Sequence, residues 1–97
     1  MSRFVIQGKL YDTDKMAHIG TVKKWFKDET LSAVFGGERG RMEDCKLFRS
    51  QKGNHLLVHE GFGFVTGCAI KEDEAKMLLM RYDYEHYRQI YGDLEEA

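Results

Sequence analysis

The part of the sequence that decides the fold is residues 45–59, which read Cys45-Lys-Leu-Phe-Arg-Ser50, Gln51-Lys-Gly53 and Asn54-His-Leu-Leu-Val-His59. Two short apolar runs flank a three-residue loop whose last position is glycine. This composition is typical of a type I turn closed by a glycine bulge, which joins two antiparallel strands. The pattern therefore predicts a β-hairpin in which Ser50 pairs with Asn54.

The register of this hairpin determines which side chains share a face, because side chains alternate along a strand. The first face is predicted to carry three opposed pairs, which are Arg49 with His55, Leu47 with Leu57, and Cys45 with His59. The second face carries Phe48 opposite Leu56 and Lys46 opposite Val58. A shift of one residue would exchange the two sets, so the register is itself a prediction.

The chain before the hairpin predicts extended structure. Residues 3–13 are rich in β-branched and aromatic types and are interrupted by Gly8, which indicates one strand with a glycine bulge. Residues 12–14 read Asp-Thr-Asp and supply turn chemistry. Residues 16–26 then predict a second strand, antiparallel to the first.

Two further segments carry weaker signals. Residues 28–35 suit a short helical turn capped by Asp28, and the glycine-rich residues 36–41 predict a flexible loop. Residues 61–67 alternate glycine with aromatic and β-branched types and lead into residues 68–70. This composition continues the strand-rich part of the chain.

The last third of the chain predicts two helices. Three acidic residues open the segment 72–82 and complement the helix dipole, while Asp83 suits the cap of a second helix over 84–91 that Gly92 ends. The acidic tail 93–97 is expected to fray. Strands first and helices last predict an α+β domain over residues 1–97: a small antiparallel sheet of about four to five strands with two C-terminal helices on one face.

Composition narrows the function classes. With 97 residues and two cysteines, the chain can close one modest core but has no room for a separate cofactor domain, so no cofactor is expected. Its net charge of −1 combines +4 in residues 1–53 with −5 in residues 54–97. No stretch approaches the ~18 apolar residues of a membrane span, and no signal-peptide core is present. We therefore expect a cytoplasmic protein that does not bind membranes and keeps its thiols reduced.

Several short strings resemble a family of small uncharacterised bacterial proteins associated with phages and mobile elements of Gram-positive bacteria. They cover both ends and the hairpin, and read Gly8-Lys-Leu-Tyr-Asp-Thr13, Ile19-Gly20, Leu47-Phe-Arg-Ser-Gln-Lys-Gly53, Glu72-Asp-Glu-Ala75 and Tyr87-Arg-Gln-Ile-Tyr-Gly92. The resemblance implies a bacterial cytosol and a role in conflict between phages or mobile elements and their host. It carries over no catalytic or binding residue.

Cys45 and His59 form the most chemically suggestive pair. Opposed residues on antiparallel strands lie roughly 5 Å apart at Cβ, and a thiol beside an imidazole can become a nucleophilic thiolate. A half-buried structural cysteine is the commoner outcome. Zinc ligation would also need His55, Cys68 or His18, but His55 and His59 lie roughly 13 Å apart along a strand, so no metal site is expected.

A basic stretch with interleaved aromatic residues suggests single-stranded nucleic acid, because such binders stack bases on aromatic rings and contact phosphates with cations. The candidates are Lys23, Lys24, Trp25, Lys27, Arg39 and Arg41. On a strand, however, Lys24 and Phe26 face one way while Lys23, Trp25 and Lys27 face the other. A solvated basic strand explains the same pattern, and the sequence pI near 6.4 favours this interpretation.

The second predicted helix carries a tyrosine stripe, Tyr84, Tyr87 and Tyr91, which suits either the core or a partner interface. The leading interpretation is a non-enzymatic protein-interaction domain that binds another protein or a second copy through its sheet edges or this stripe. The alternative is a single-stranded nucleic-acid-binding accessory protein, and the third class is a cysteine-dependent enzyme. An exposed Trp25 would favour nucleic acid, whereas a buried Trp25 with exposed tyrosines would favour protein.

Overall fold

The computed structural model describes residues 2–27, 29–61 and 63–97, and for residues 27 and 29–31 the description is limited to the backbone. The expected capping role of Asp28 lies outside the described residues. Along the chain the elements are β1 (Arg3–Ile6), β2 (Lys9–Asp12), a 3₁₀ turn (Thr13–Lys15), β3 (Ala17–Lys27), α1 (Glu29–Phe35), β4 (Gly40–Arg49), β5 (His55–Gly61), β6 (Phe64–Ile70), α2 (Glu72–Tyr82) and α3 (Tyr84–Tyr91).

Strands β3, β4, β5 and β6 form one antiparallel sheet in that order. Each strand pairs with its neighbour in the chain, so the sheet is a meander. Strands β1 and β2 form a separate two-stranded sheet. Helices α2 and α3 follow the last strand and pack on one face of the four-stranded sheet, which confirms the predicted α+β architecture.

The β4–β5 hairpin has the predicted register. The ladder pairs Lys46 with Val58, Leu47 with Leu57, Phe48 with Leu56 and Arg49 with His55. The turn is closed by the amide of Ser50, which donates to the carbonyl of Asn54 at 2.8 Å, and Gly53 adopts a φ of 84° that favours glycine. The ladder ends at Lys46 and Val58, one position before Cys45 and His59.

The prediction for the N-terminal strands was wrong. Gln7 and Gly8 both have positive φ, 51° and 77°, which reverses the chain in a tight two-residue turn of the I′ kind. Residues 3–12 are therefore a hairpin of β1 and β2 rather than one strand with a bulge. The following strand also has a different partner from the one predicted: β3 pairs along its length with β4. The expected turn after β2 is present and begins where Asp12 Oδ1 accepts from the amide of Asp14 at 3.0 Å.

The segment after β3 is more ordered than the sequence indicates. Helix α1 matches the predicted helical turn, but the expected loop over residues 36–41 ends early because β4 begins at Gly40. A glycine is required there, since a Cβ would collide with the Phe26 carbonyl oxygen and would lie 2.6 Å from the Trp25 ring. The β3–β4 pairing therefore extends to Lys27 opposite Gly40.

Both faces of the four-stranded sheet are covered near its centre. On the helix face, a buried cluster joins the sheet to α2 and α3, and it comprises Ile19, Val22, Cys45, Leu47, Leu57, Ala75, Leu79 and Tyr87. On the opposite face, which we call the hairpin face, Tyr11 with Phe4 and Ile6 covers Leu56 and Val58. Strand β5 lies between the two clusters, so residues 55–59 are buried without alternation.

The two C-terminal helices begin and end where the sequence predicts, and Gly92 ends α3 with a φ of 89°. Asp83 was expected to cap α3, but its carboxylate turns to β3, where Oδ2 accepts from the amide of Thr21 at 3.0 Å. The α2–α3 junction is thereby fixed against β3. In the described ranges, no helix is long and apolar enough to cross a membrane.

Candidate functional site

Cys45 lies in the centre of the helix-face cluster and is almost fully buried. Burial raises the pKa of its thiol, and the nearby carboxylates of Asp44 and Glu43 act in the same direction, against the lowering effect of Lys24. A nucleophilic cysteine needs the reverse, a thiolate stabilised in a partly exposed, electropositive site. Cys45 therefore has the environment of a core thiol.

His59, the proposed partner of Cys45, is held by packing. Its imidazole stacks on the ring of Phe26 with centroids 4.1 Å apart, and a Cβ on Gly61 would lie 2.9 Å from its Cε1 atom. The exposed thiol of the protein is instead Cys68, whose Sγ accepts from Lys24 Nζ at 3.9 Å. Among the described residues, no group of three or more His, Cys, Asp or Glu side chains is placed to hold a metal ion.

The basic stretch of β3 faces acidic residues on β4. Lys23 is directly opposite Asp44, and Lys24 is directly opposite Glu43. Opposed charges of this kind stabilise a sheet and neutralise each other. Arg41 pairs with Glu43. Across the paired residues 23–27 and 40–44, two carboxylates stand against four cations, so half of the positive charge is compensated.

The remaining nucleic-acid candidates do not converge with these lysines. The Arg39 guanidinium lies over the ring of Phe35, 5.2 Å from its centroid, beside helix α1. Trp25 is 44% exposed and lies on the same face of β3 as Lys23 and on the opposite face from Lys24. The side chain of Lys27 lies outside the described part of the structure. An exposed tryptophan is thus present, but the cations named with it are divided between two faces and a loop.

The tyrosine stripe of α3 is largely engaged within the chain. Tyr87 is buried in the helix-face cluster, with Tyr84 and Tyr91 on either side at ring-centroid distances of 6.0 and 5.2 Å. The hydroxyl of Tyr84 accepts from the amide of Leu94 at 3.1 Å. Of the three tyrosines, Tyr84 alone is exposed, so the stripe offers a partner little free surface.

The structure gathers exposed apolar side chains at a place that the sequence did not single out. We call residues 23–27 of β3, residues 40–44 of β4 and helix α1 the β3–β4 arm. Within it Trp25 and Met42 are directly opposed, and the two residues are 44% and 45% exposed. Val34 and Phe35 of α1 are more exposed than either. Apolar surface gathered in this way is typical of interaction sites.

The arm extends beyond the body of the domain. Strand β4 leaves its ladder with β5 at Lys46, so residues 40–45 pair with β3 alone among the described strands. The radius of gyration is correspondingly large, 15.1 Å. A compact domain of this length would have a value of about 12.5 Å. The only hint in the sequence is the pair Val34-Phe35 just before Gly36, because the exposure of Met42 depends on the β3–β4 register.

Comparisons of the chain with protein-family models, with curated proteins and with solved structures find no match.

Proposed function

We propose that this protein is a non-enzymatic protein-interaction domain and that the β3–β4 arm is its contact surface. The observation that carries the proposal is the exposed cross-strand pair Trp25 and Met42, in an arm whose helix α1 also exposes Val34 and Phe35. Tryptophan, phenylalanine and methionine are enriched in protein interfaces, and aromatic anchors supply most of their binding energy.

The charges around this surface suit a protein partner better than a polyanion. Lys23 and Lys24 are opposed by Asp44 and Glu43, so the arm presents an apolar centre with balanced charges beside it. Interface centres are depleted of net charge in the same way. The partner is another protein or a second copy of this chain.

The resemblance to small proteins of phages and mobile elements supports a setting for this interaction. We place the protein in the bacterial cytoplasm, where such a domain would bind a host or phage protein. The proposed function includes no catalytic reaction.

The test uses size-exclusion chromatography with light scattering, together with capture of partners from a bacterial lysate. The double variant Trp25→Ser and Met42→Ser removes the exposed pair from the arm. Val5→Ser with Leu10→Ser is the matched control, because Val5 and Leu10 form a cross-strand pair on the β1–β2 hairpin that is even more exposed than Trp25 and Met42. We expect the arm variant to lose self-association or partner capture and the control to retain it.

Two results would contradict the proposal. One is a strictly monomeric protein that retains no partner, and the other is an equal loss of binding in the arm variant and in the hairpin control. Thermal melting of both variants checks that each is folded. Phe35→Ser, at an exposed position on α1 away from the β3–β4 ladder, tests the same surface without touching the Trp25 contact with Gly40.

Binding of single-stranded nucleic acid is the second candidate. An exposed Trp25 together with a mostly engaged tyrosine stripe is the outcome that the sequence criterion assigned to nucleic acid, and it is the observation that favours this candidate. Nucleic-acid binding predicts affinity that falls as salt concentration rises, and a marked loss on Trp25→Ala because base stacking is removed. An unchanged affinity in that variant would exclude the stacking mechanism.

A further inference from the structure

A cleft of about 300 Å³ lies on the far side of the domain from the β3–β4 arm. It opens where the turn between β4 and β5 meets the first turn of α2 and the last residue of α3. The turn contributes Ser50, Gln51 and Gly53 to its lining, and the remaining lining residues are Arg49, His55, Glu72 and Tyr91. Its volume is at the lower end of the range for small-ligand pockets.

Two buried polar groups in this cleft lack hydrogen bonds. His55 is 2% exposed, and neither of its ring nitrogens makes a hydrogen bond of full geometry, although the backbone of Gly53 lies close enough to raise the pKa of the ring. The Tyr91 hydroxyl is also buried without a partner. Buried polar atoms are nearly always hydrogen-bonded in native proteins, so two such groups lining one cleft indicate that they serve a ligand.

The charges in the cleft leave one cation free. Glu72 is paired with Lys76, whose Nζ lies 3.2 Å from Glu72 Oε1 and 4.8 Å from the centroid of the Tyr91 ring. Arg49 has no ion-pair partner among the described residues. With Glu72 paired to Lys76, the guanidinium of Arg49 is left beside an imidazole and a phenol.

We propose that this cleft binds a small molecule carrying a carboxylate or phosphate group, held by Arg49, His55 and Tyr91. The guanidinium of Arg49 presents N–H donors that match the oxygens of either group. A neutral imidazole supplies one N–H donor, and the Tyr91 hydroxyl supplies another. The anion gives each of these donors the acceptor that the protein itself does not provide.

Binding of the anion is coupled to a proton on His55. Burial lowers the pKa of His55, and the cations Arg49 of β4 and Lys76 of α2 lower it further, although Glu72 and the nearby Gly53 carbonyl act in the opposite direction. A bound anion adds a negative charge beside the ring and raises that pKa. Anion affinity therefore increases as pH falls towards the ordinary pKa of histidine.

The test is a titration of the protein with inorganic phosphate and with acetate, followed by the NMR signals of the His55 ring, with sodium chloride at matched ionic strength as the reference. We expect saturable shifts that chloride does not produce. Arg49→Gln and Tyr91→Phe should each weaken binding by about tenfold, because each removes one hydrogen bond to a charged group. Tyr91→Phe keeps the ring and its contact with Lys76.

Arg81→Gln and Tyr84→Phe are the matched controls, since they remove the same groups from α2 and α3 outside the cleft. Their affinities should equal that of the unchanged protein. A response to phosphate alone assigns phosphate esters as the ligand class, and a response to acetate alone assigns carboxylates. Absence of a saturable response to both anions, or equal weakening by the controls, would overturn the proposal.

Discussion

The imidazole of His59 lies against the ring of Phe26, with their centroids 4.1 Å apart and their planes inclined by 23°. This contact joins β5 to β3 at a level where β4 is no longer paired with β5. Together with the contact between Lys24 Nζ and Cys68 Sγ, it holds the base of the β3–β4 arm against the sheet.

Replacing Phe26 with alanine should destabilise the fold by about 2 kcal/mol, less than a fully buried phenylalanine because Phe26 is half-buried. The free energy of unfolding is measured by urea denaturation. Phe64→Ala is the control, because Phe64 is largely exposed and its loss should cost less than about 0.5 kcal/mol. Equal effects of the two changes would show that the stack contributes nothing.

Asp83 should carry part of the pH dependence of stability. Its partial burial opposes ionisation, but the hydrogen bonds from the Thr21 amide and from His86 outweigh this, so the pKa of Asp83 is lowered. A lowered pKa means that the charged carboxylate stabilises the fold above the ordinary pKa of aspartate. That contribution is lost as pH falls through the folded-state value.

Asp83→Ala should therefore cost about 1.5–3 kcal/mol at neutral pH, the value of a hydrogen bond to a charged group. The cost should shrink in strong acid, where the carboxyl of the unchanged protein is protonated. Urea denaturation at neutral pH and in strong acid measures the cost of the substitution under each condition. Asp93→Ala, at an exposed position in the tail, is the control. A cost that stays constant with pH would show that the charge of Asp83 is irrelevant.

The two cysteines should differ in reactivity. Cys68 is exposed, whereas Cys45 is buried and has a raised pKa. We expect a thiol reagent at mildly alkaline pH to modify Cys68 rapidly and to modify Cys45 only when the protein unfolds. Mass spectrometry of peptides identifies the sites, and Cys68→Ser should abolish the fast phase. Fast labelling of Cys45 in the folded protein would mean that the helix-face cluster opens readily.

Gly67 should tolerate no side chain, because the ring of Phe4 covers it. A Cβ at this position would lie 2.7 Å from Cγ of Phe4 and would displace the β1–β2 hairpin from the sheet. Gly67→Ala should destabilise the fold by about 1–3 kcal/mol, the usual cost of overpacking. Thr66→Ala, at the preceding exposed position, should have a small effect. Thermal melting distinguishes the two variants.

Local sequence signals predicted the β4–β5 register and both C-terminal helices. The Gln51-Lys52-Gly53 turn specifies how Leu47 and Leu57 align, and the acidic start and Gly92 set the helix limits. The β1–β2 hairpin could not be predicted in this way, because its turn requires a positive φ at Gln7, a residue type that gives no such signal.

The candidate sites could be predicted from the sequence less well than the fold. The neutralisation of Lys23 by Asp44 depends on the β3–β4 register, which the intervening helix and loop conceal. Likewise, His55 and Tyr91 are far apart in the chain. Their unsatisfied polar atoms become recognisable only when the fold places them in one cleft.

The meander order of the sheet has a consequence for how the chain folds. Because each strand of the sheet pairs with the one beside it in the chain, every pairing can form by closing one connection, which is short for β4–β5 and β5–β6 and includes helix α1 for β3–β4. The entropy lost in closing such loops is small, and it grows only slowly with loop length. The β4–β5 hairpin lies at the centre of the sheet and can offer β3 and β6 a template on either side. The sheet can therefore assemble outward from β4 and β5 without a long crossover, before α2 and α3 cover its face.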